Sequence, residues 1–106
     1  MQVYHLDNMV KGWFVGAFSP TILKTSAMEV GIKRYREGDR EAVHHHKVAV
    51  ELTAIVSGQV RMFGSTFGPG DIVRIDPGEE TAFEALTDAV TVVVKQPSLP
   101  GDKYMS

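Results

Sequence analysis

Two imidazoles and a carboxylate stand close together in the run Val43-His44-His45-His46-Lys47-Val48-Ala49-Val50-Glu51. In an extended strand side chains alternate faces, so His44 and His46 share one face and His45 takes the other. If the chain turns near Lys47 and runs back, Glu51 arrives beside the two rings. Neutral imidazole nitrogens and a carboxylate are good ligands for a divalent ion, and three of them leave coordination positions open for substrate or water. Glu51 is embedded in the apolar stretch Val50 to Val56. A carboxylate there is costly to bury unless it is metal-bound or paired, with Arg61, Arg74 or Lys33 as the available ion-pair partners.

The elements that must position these groups are strands. Gly12, Gly16, Gly31, Gly38, Gly58, Gly64, Gly68, Gly70 and Gly78 interrupt short runs rich in Val, Ile, Thr and Phe. The pattern predicts strands at about 13–18, 26–36, 42–46, 49–57, 59–63, 71–75, 81–86 and 89–95. Ser57-Gly58-Gln59, Phe67 to Asp71 and Asp76-Pro77-Gly78-Glu79 read as turns. Pro20 to Thr25 is the one place where a short helical turn fits. Strands this short and evenly spaced indicate a sandwich or barrel. Gln96 to Ser106, with two prolines and a glycine, reads as an extended tail without a strand partner, although Tyr104 and Met105 are able to pin it to a surface.

Length and composition bound the rest. The 106 residues suit one domain, with a core over about 26–95 and the tail at 96–106. A formal net charge of −2 gives no reason to expect nucleic acid or an anionic membrane as partner, and Lys33, Arg34 and Arg36 read as a solvated strand edge. The chain has no cysteine, which removes thiolate catalysis and thiolate ligation. The start of the sequence lacks the basic and apolar pattern of a secretory signal, so the expectation is a cytoplasmic protein.

Extended outward, the histidine run acquires glycines at fixed distances. Gly38, five residues, His44, one residue, His46, four residues, Glu51, six residues and Gly58 form a pattern that resembles the first motif of the cupin superfamily. The second cupin motif is incomplete. Gly70 to Gly78 resembles its first half, with Asp76 in place of a proline. Thr81 stands where the family has a third histidine ligand, and Ala85 replaces an asparagine. The tail Pro97 to Tyr104 also resembles that of some small single-domain cupins.

The resemblance implies an all-β, cupin-type jelly-roll barrel, the double-stranded β-helix. It implies one divalent metal, Fe, Mn, Ni, Co or Zn, held by His44, His46 and Glu51, or a site left empty because Thr81 replaces the histidine. Thr81 then serves as a second-shell donor to a metal-bound water. Phe83 and Met62 belong near the pocket mouth, and Tyr35, Arg61 and Arg74 are candidates for orienting a substrate. Glu79 and Glu80 lie in the turn before Thr81, where either is able to replace the missing ligand. Glu80 and Tyr35 are also the available acid–base groups.

Two functions stay open at this stage. One is a metal-dependent enzyme acting on a small polar metabolite such as a sugar derivative or organic acid. The other is a binding or sensor module that holds such a compound without metal. A purely structural barrel leaves Glu51 and the histidines without a reason. The cupins it resembles are commonly dimers, and a homodimer through the N-terminal strands is the expected assembly.

Overall fold

A computed structural model describes residues 1–106. Eleven strands form two sheets: β1 (Trp13–Gly16), β2 (Leu23–Lys24), β3 (Glu29–Tyr35), β4 (Arg40–His45), β5 (Val50–Ser57), β6 (Val60–Met62), β7 (Ser65–Phe67), β8 (Ile72–Ile75), β9 (Thr81–Ala85), β10 (Ala89–Gln96) and β11 (Tyr104–Met105). One sheet has the order β2-β1-β3-β10-β5-β8 and the other β11-β4-β9-β6-β7. From β3 onward the chain passes from one sheet to the other at nearly every connection. That alternation winds two antiparallel layers into a double-stranded β-helix with jelly-roll topology. No helix is long and apolar enough to cross a membrane.

All eight strands expected from the period-two pattern are present, with ends shifted by up to three residues. Three strands escape that pattern because each has only two or three residues. Leu23–Lys24 pairs in parallel with Val15–Gly16, so Pro20 to Thr25 is extended rather than helical. Ser65–Phe67 closes a hairpin on β6. The tail is paired after all: Tyr104 and Met105 lie opposite His45 and His44 on β4.

The turn at Lys47 also differs from expectation. β5 is not hydrogen-bonded to β4; it joins β10 and β8 in the opposite sheet. His44 and Glu51 therefore meet from two sheets rather than along one hairpin. Gly58 likewise carries the chain over the rim from β5 to β6 instead of closing a hairpin. Its φ is +78°, and a Cβ there would lie 2.0 Å from the carbonyl oxygen of Asp88, so only glycine fits.

The core is made by Ile55, Val60, Met62, Val73, Ile75, Phe83, Ala85 and Ala89, with Tyr35 and Phe67 packed against it. Six of these eight come from β6, β8 and β9. The interior facing them is polar, and that is where the site lies.

Candidate functional site

A cavity of about 230 Å³ opens into the barrel between the two sheets. Strand alternation selects its lining. On β3 residues 31, 33 and 35 point inward, and on β10 residues 91, 93 and 95 do so, which brings Lys33, Tyr35, Thr91, Val93 and Lys95 onto one wall. Glu51 and Thr53 continue that wall on β5, in register with Lys95 and Val93.

His44 reaches the cavity through an irregularity. Glu41 pairs with Phe83 and His44 with Thr81, so β4 carries one extra residue between the two pairs. A bulge of this kind resets the alternation, and Glu41 and His44 both face inward although they are three residues apart. His45 points away, as expected, and stacks on Tyr104 with ring centroids 5.6 Å apart.

His46 lies just past the end of β4 and is buried. Its Nδ1 donates to the backbone carbonyl of Asp102. That assignment leaves the Nε2 lone pair free, and Nε2 is buried without a hydrogen-bond partner. Oε1 of Glu51 stands 3.5 Å from it, an electrostatic contact. The Glu51 carboxylate raises the His46 pKa against the opposing effects of burial and of Lys95. For Glu51 itself burial pushes upward, but His46, Lys95 and the Thr53 hydroxyl (3.1 Å) together hold it below its ordinary value. His44 Nδ1 contacts the carbonyl of Ala42 at 2.9 Å, which likewise leaves its Nε2 as the free nitrogen. The two imidazoles meet edge to face, centroids 5.6 Å apart.

The donor set suits a divalent ion: two imidazoles anchored through Nδ1 to carbonyls, with Nε2 available, and one carboxylate. The orphaned Nε2 of His46 is the kind of buried atom a metal satisfies. As the side chains stand, however, no three His, Asp or Glu groups converge closely enough to hold an ion. His46 and Glu51 are drawn together, and His44 is turned toward Ala42.

The tail strap is a feature that sequence reasoning missed. The Asp102 carboxylate is buried and accepts hydrogen bonds from the backbone N–H groups of Lys47 (3.0 Å), Val48 (3.1 Å) and Ala49 (2.9 Å). Burial opposes its ionisation, yet those three donors hold its pKa below the usual carboxylate value. Asp102 thus fixes the β4–β5 turn with its side chain and His46 with its carbonyl. Its partners lie more than fifty residues away in sequence, so no local spacing signals them.

The remaining candidates separate into those facing the cavity and those facing water. Met62 and Phe83 line the cavity, but as buried core residues forming its floor rather than its mouth. Tyr35 stacks on Phe83 (4.4 Å between centroids) and donates to Glu41 Oε1 at 3.2 Å. Burial, followed by the neighbouring Glu41, pushes its pKa far above the usual phenol value, so Tyr35 keeps its proton and serves as a hydrogen-bond donor, not as a base. Thr81 borders the cavity, but its hydroxyl accepts from the Phe63 N–H (2.9 Å) and donates to the Ala82 carbonyl (2.7 Å), so it is already engaged by backbone.

Arg61 points outward and pairs with Glu84 at 3.3 Å, because it is the middle residue of a strand whose neighbours Val60 and Met62 are buried. Arg74 pairs with Asp76 at 2.9 Å on the surface for the same reason of alternation. Neither reaches Glu51. Glu79 caps the turn by accepting from the Asp76 N–H (2.8 Å), and Glu80 is exposed outside the cavity. Lys33, taken as part of a solvated edge, faces inward, whereas Arg34 beside it faces out to Asp7.

The same two-sheet arrangement occurs in solved structures. An uncharacterised conserved protein with a double-stranded β-helix domain from Klebsiella pneumoniae superposes with a TM-score of 0.74, over 99% of this chain and 91% of that one, at 18% identity. A cupin-2 domain containing protein from Shewanella frigidimarina superposes with a TM-score of 0.58, over 71% and 76%, at 15% identity. The fold is that of the cupins. The DMSP lyase DddQ from Ruegeria pomeroyi shares it at a TM-score of 0.73, over 97% of this chain and 55% of that one, at 18% identity. No family model and no curated protein matches the chain in sequence. The cupin barrel is therefore established by shape.

Proposed function

We propose that this cupin binds and acts on a small polar metabolite inside the barrel, with His44, His46 and Glu51 holding one divalent metal of the Fe, Mn, Ni, Co or Zn group. The observation that carries this reading is the buried, unpartnered Nε2 of His46 facing the Glu51 carboxylate at 3.5 Å, with Nδ1 anchored behind it. A bound metal would supply Lewis acidity toward a substrate carbonyl or carboxylate. Around it the chain's own groups would position the substrate. Tyr35 holds Glu41 in place at the cavity wall, Thr53 keeps Glu51 oriented, and Phe83 and Met62 form an apolar floor. That a lyase is among the proteins of similar shape supports a catalytic use of such a barrel.

Elemental analysis of protein purified without added metal or chelator tests this. Stoichiometric metal is expected in the natural sequence and less than about a tenth of it in His44→Ala and Glu51→Ala. Metal-free protein with an intact fold would reject it.

A second reading, a metal-free binding module, is favoured by one observation: the Thr81 hydroxyl is consumed by backbone, so nothing replaces the third histidine. Saturable ligand binding unchanged by a chelator would select it.

The assembly we propose is a homodimer through the N-terminal strands. β2 forms a free edge of the six-stranded sheet, and Val3, Val10, Ile22, Leu23 and Met28 of the N-terminal segments are exposed. Sedimentation at micromolar concentration should give twice the chain mass of 11.7 kDa, and a monomer would remove the proposal.

A further inference from the structure

Four lysines converge on the cavity: Lys11, Lys33, Lys95 and Lys103. Two carboxylates, Glu41 and Glu51, line it as well, so with neutral histidines the cavity carries an excess of two positive charges in a chain whose net charge is −2. The carboxylates are otherwise engaged, Glu41 by the Tyr35 hydroxyl and Glu51 by Thr53 and His46. None of the four ammonium groups has a carboxylate within 4 Å, since every ion pair in the molecule uses an arginine or His46. Lys33 and Lys95 instead flank the Trp13 indole, 5.1 and 5.0 Å from its centroid, and Lys33 donates to the Lys11 carbonyl at 2.7 Å. The indole reaches this place because Gly31 has no side chain; a Cβ there would come within 2.7 Å of the ring.

Cation–π contact offsets only part of the cost of gathering like charges. Lys33 reports that cost: burial lowers its pKa, and Lys11, Lys95 and Lys103 lower it further against Glu41. Lys11 and Lys103 stay exposed at the rim, as Lys24 and Lys47 do elsewhere on the surface, whereas Lys33 and Lys95 are half-buried inside the cavity. Four ammonium groups bordering one small cavity without carboxylate partners form half of a charge pair.

We propose that the ligand of this cavity is a small organic dianion, whose negative charge is met by Lys33 and Lys95 beside Trp13 with Lys11 and Lys103 at the rim. This rests on the reading that the barrel interior is the ligand site. The cavity is smaller than the range of about 300–1,000 Å³ common for drug-sized ligands, which keeps the compound small. Lysine meets an anion as a point charge, so carboxylates and a phosphate monoester are both compatible.

Calorimetric titration of the full chain with malonate, glycerol 3-phosphate and uncharged erythritol, each with and without chelator, separates the possibilities. Saturable binding of malonate or glycerol 3-phosphate is expected, and the tighter of the two identifies the charged group. Lys33→Gln and Lys95→Gln should each weaken it about tenfold, whereas Arg74→Gln, on the outer surface, should leave it unchanged. Thermal melts confirm that the variants fold. Erythritol binding as tightly as the anions, equal anion affinity in the lysine variants, or no anion binding at millimolar concentration would each overturn the proposal. Anion binding that persists in protein shown to hold no metal would retain this inference while the metal reading fails. Stoichiometric metal with no preference for anions would do the reverse.

Discussion

The inward faces of β6, β8 and β9 differ from those of β3 and β10. The first group contributes Val60, Met62, Val73, Ile75, Phe83 and Ala85 to the core, with Thr81 as its single polar member. The second places Glu29, Gly31, Lys33 and Tyr35, then Ala89, Thr91, Val93 and Lys95, along a separate wall, in the sheet that β8 also closes. Both sets lie on strands of the same barrel and obey the same alternation. One wall excludes water and supplies most of the hydrophobic stabilisation; the other carries charge that folding alone does not require. Stability and chemistry are divided between walls rather than between domains.

That division can be broken from the apolar side. Phe83→Ala removes a side chain 5% exposed and should cost about 4 kcal/mol in urea denaturation. A loss below about 1 kcal/mol would mean the wall is not closely packed.

The Asp102 strap is the next largest effect. Asp102→Ala leaves three backbone N–H groups of the β4–β5 turn without their acceptor, and about 3 kcal/mol should be lost. Hydrogen exchange at Lys47, Val48 and Ala49 should quicken in the same variant, whereas exchange across β6–β9 should change only with global stability.

Acidity tests the same strap. Because the folded state depresses the Asp102 pKa, its contribution is present above the ordinary carboxylate value near about 3.9. It disappears as pH falls through the depressed value. In chelator-treated protein, stability between pH about 5 and 2 should therefore fall more steeply than in Asp102→Asn, which has no carboxylate to protonate. Parallel curves would refute that assignment.

The smallest effect sharpens the contrast most. Lys33→Met should leave stability within about 1 kcal/mol of the natural sequence, or raise it, because it removes a desolvated charge from among three others. A large destabilisation would show that the charged wall is needed for folding.

The division also explains what the sequence made legible. Period-two runs between glycines mark eight strands because their length allows alternation to repeat, and the His44, His46, Glu51 spacing picks out candidates because those residues lie within one short stretch of chain, although their side chains do not converge. The bulge in β4 is a one-residue insertion visible only against its partner β9. Asp102 acts on His46 across 56 residues, and Lys103 follows it, so no window contains them with His46. Lys33 is the instructive miss. Neighbouring Arg34 and Arg36 suggested a solvated run, yet alternation from Glu29 through Gly31 already directed Lys33 inward.

The Lys33–Trp13–Lys95 arrangement has a practical consequence. Trp13 is the only tryptophan in the chain, and its fluorescence arises beside two ammonium groups that an arriving guest must disturb. Emission colour and quenching should then follow occupancy without any dye or label, giving the barrel an optical gauge of its own filling.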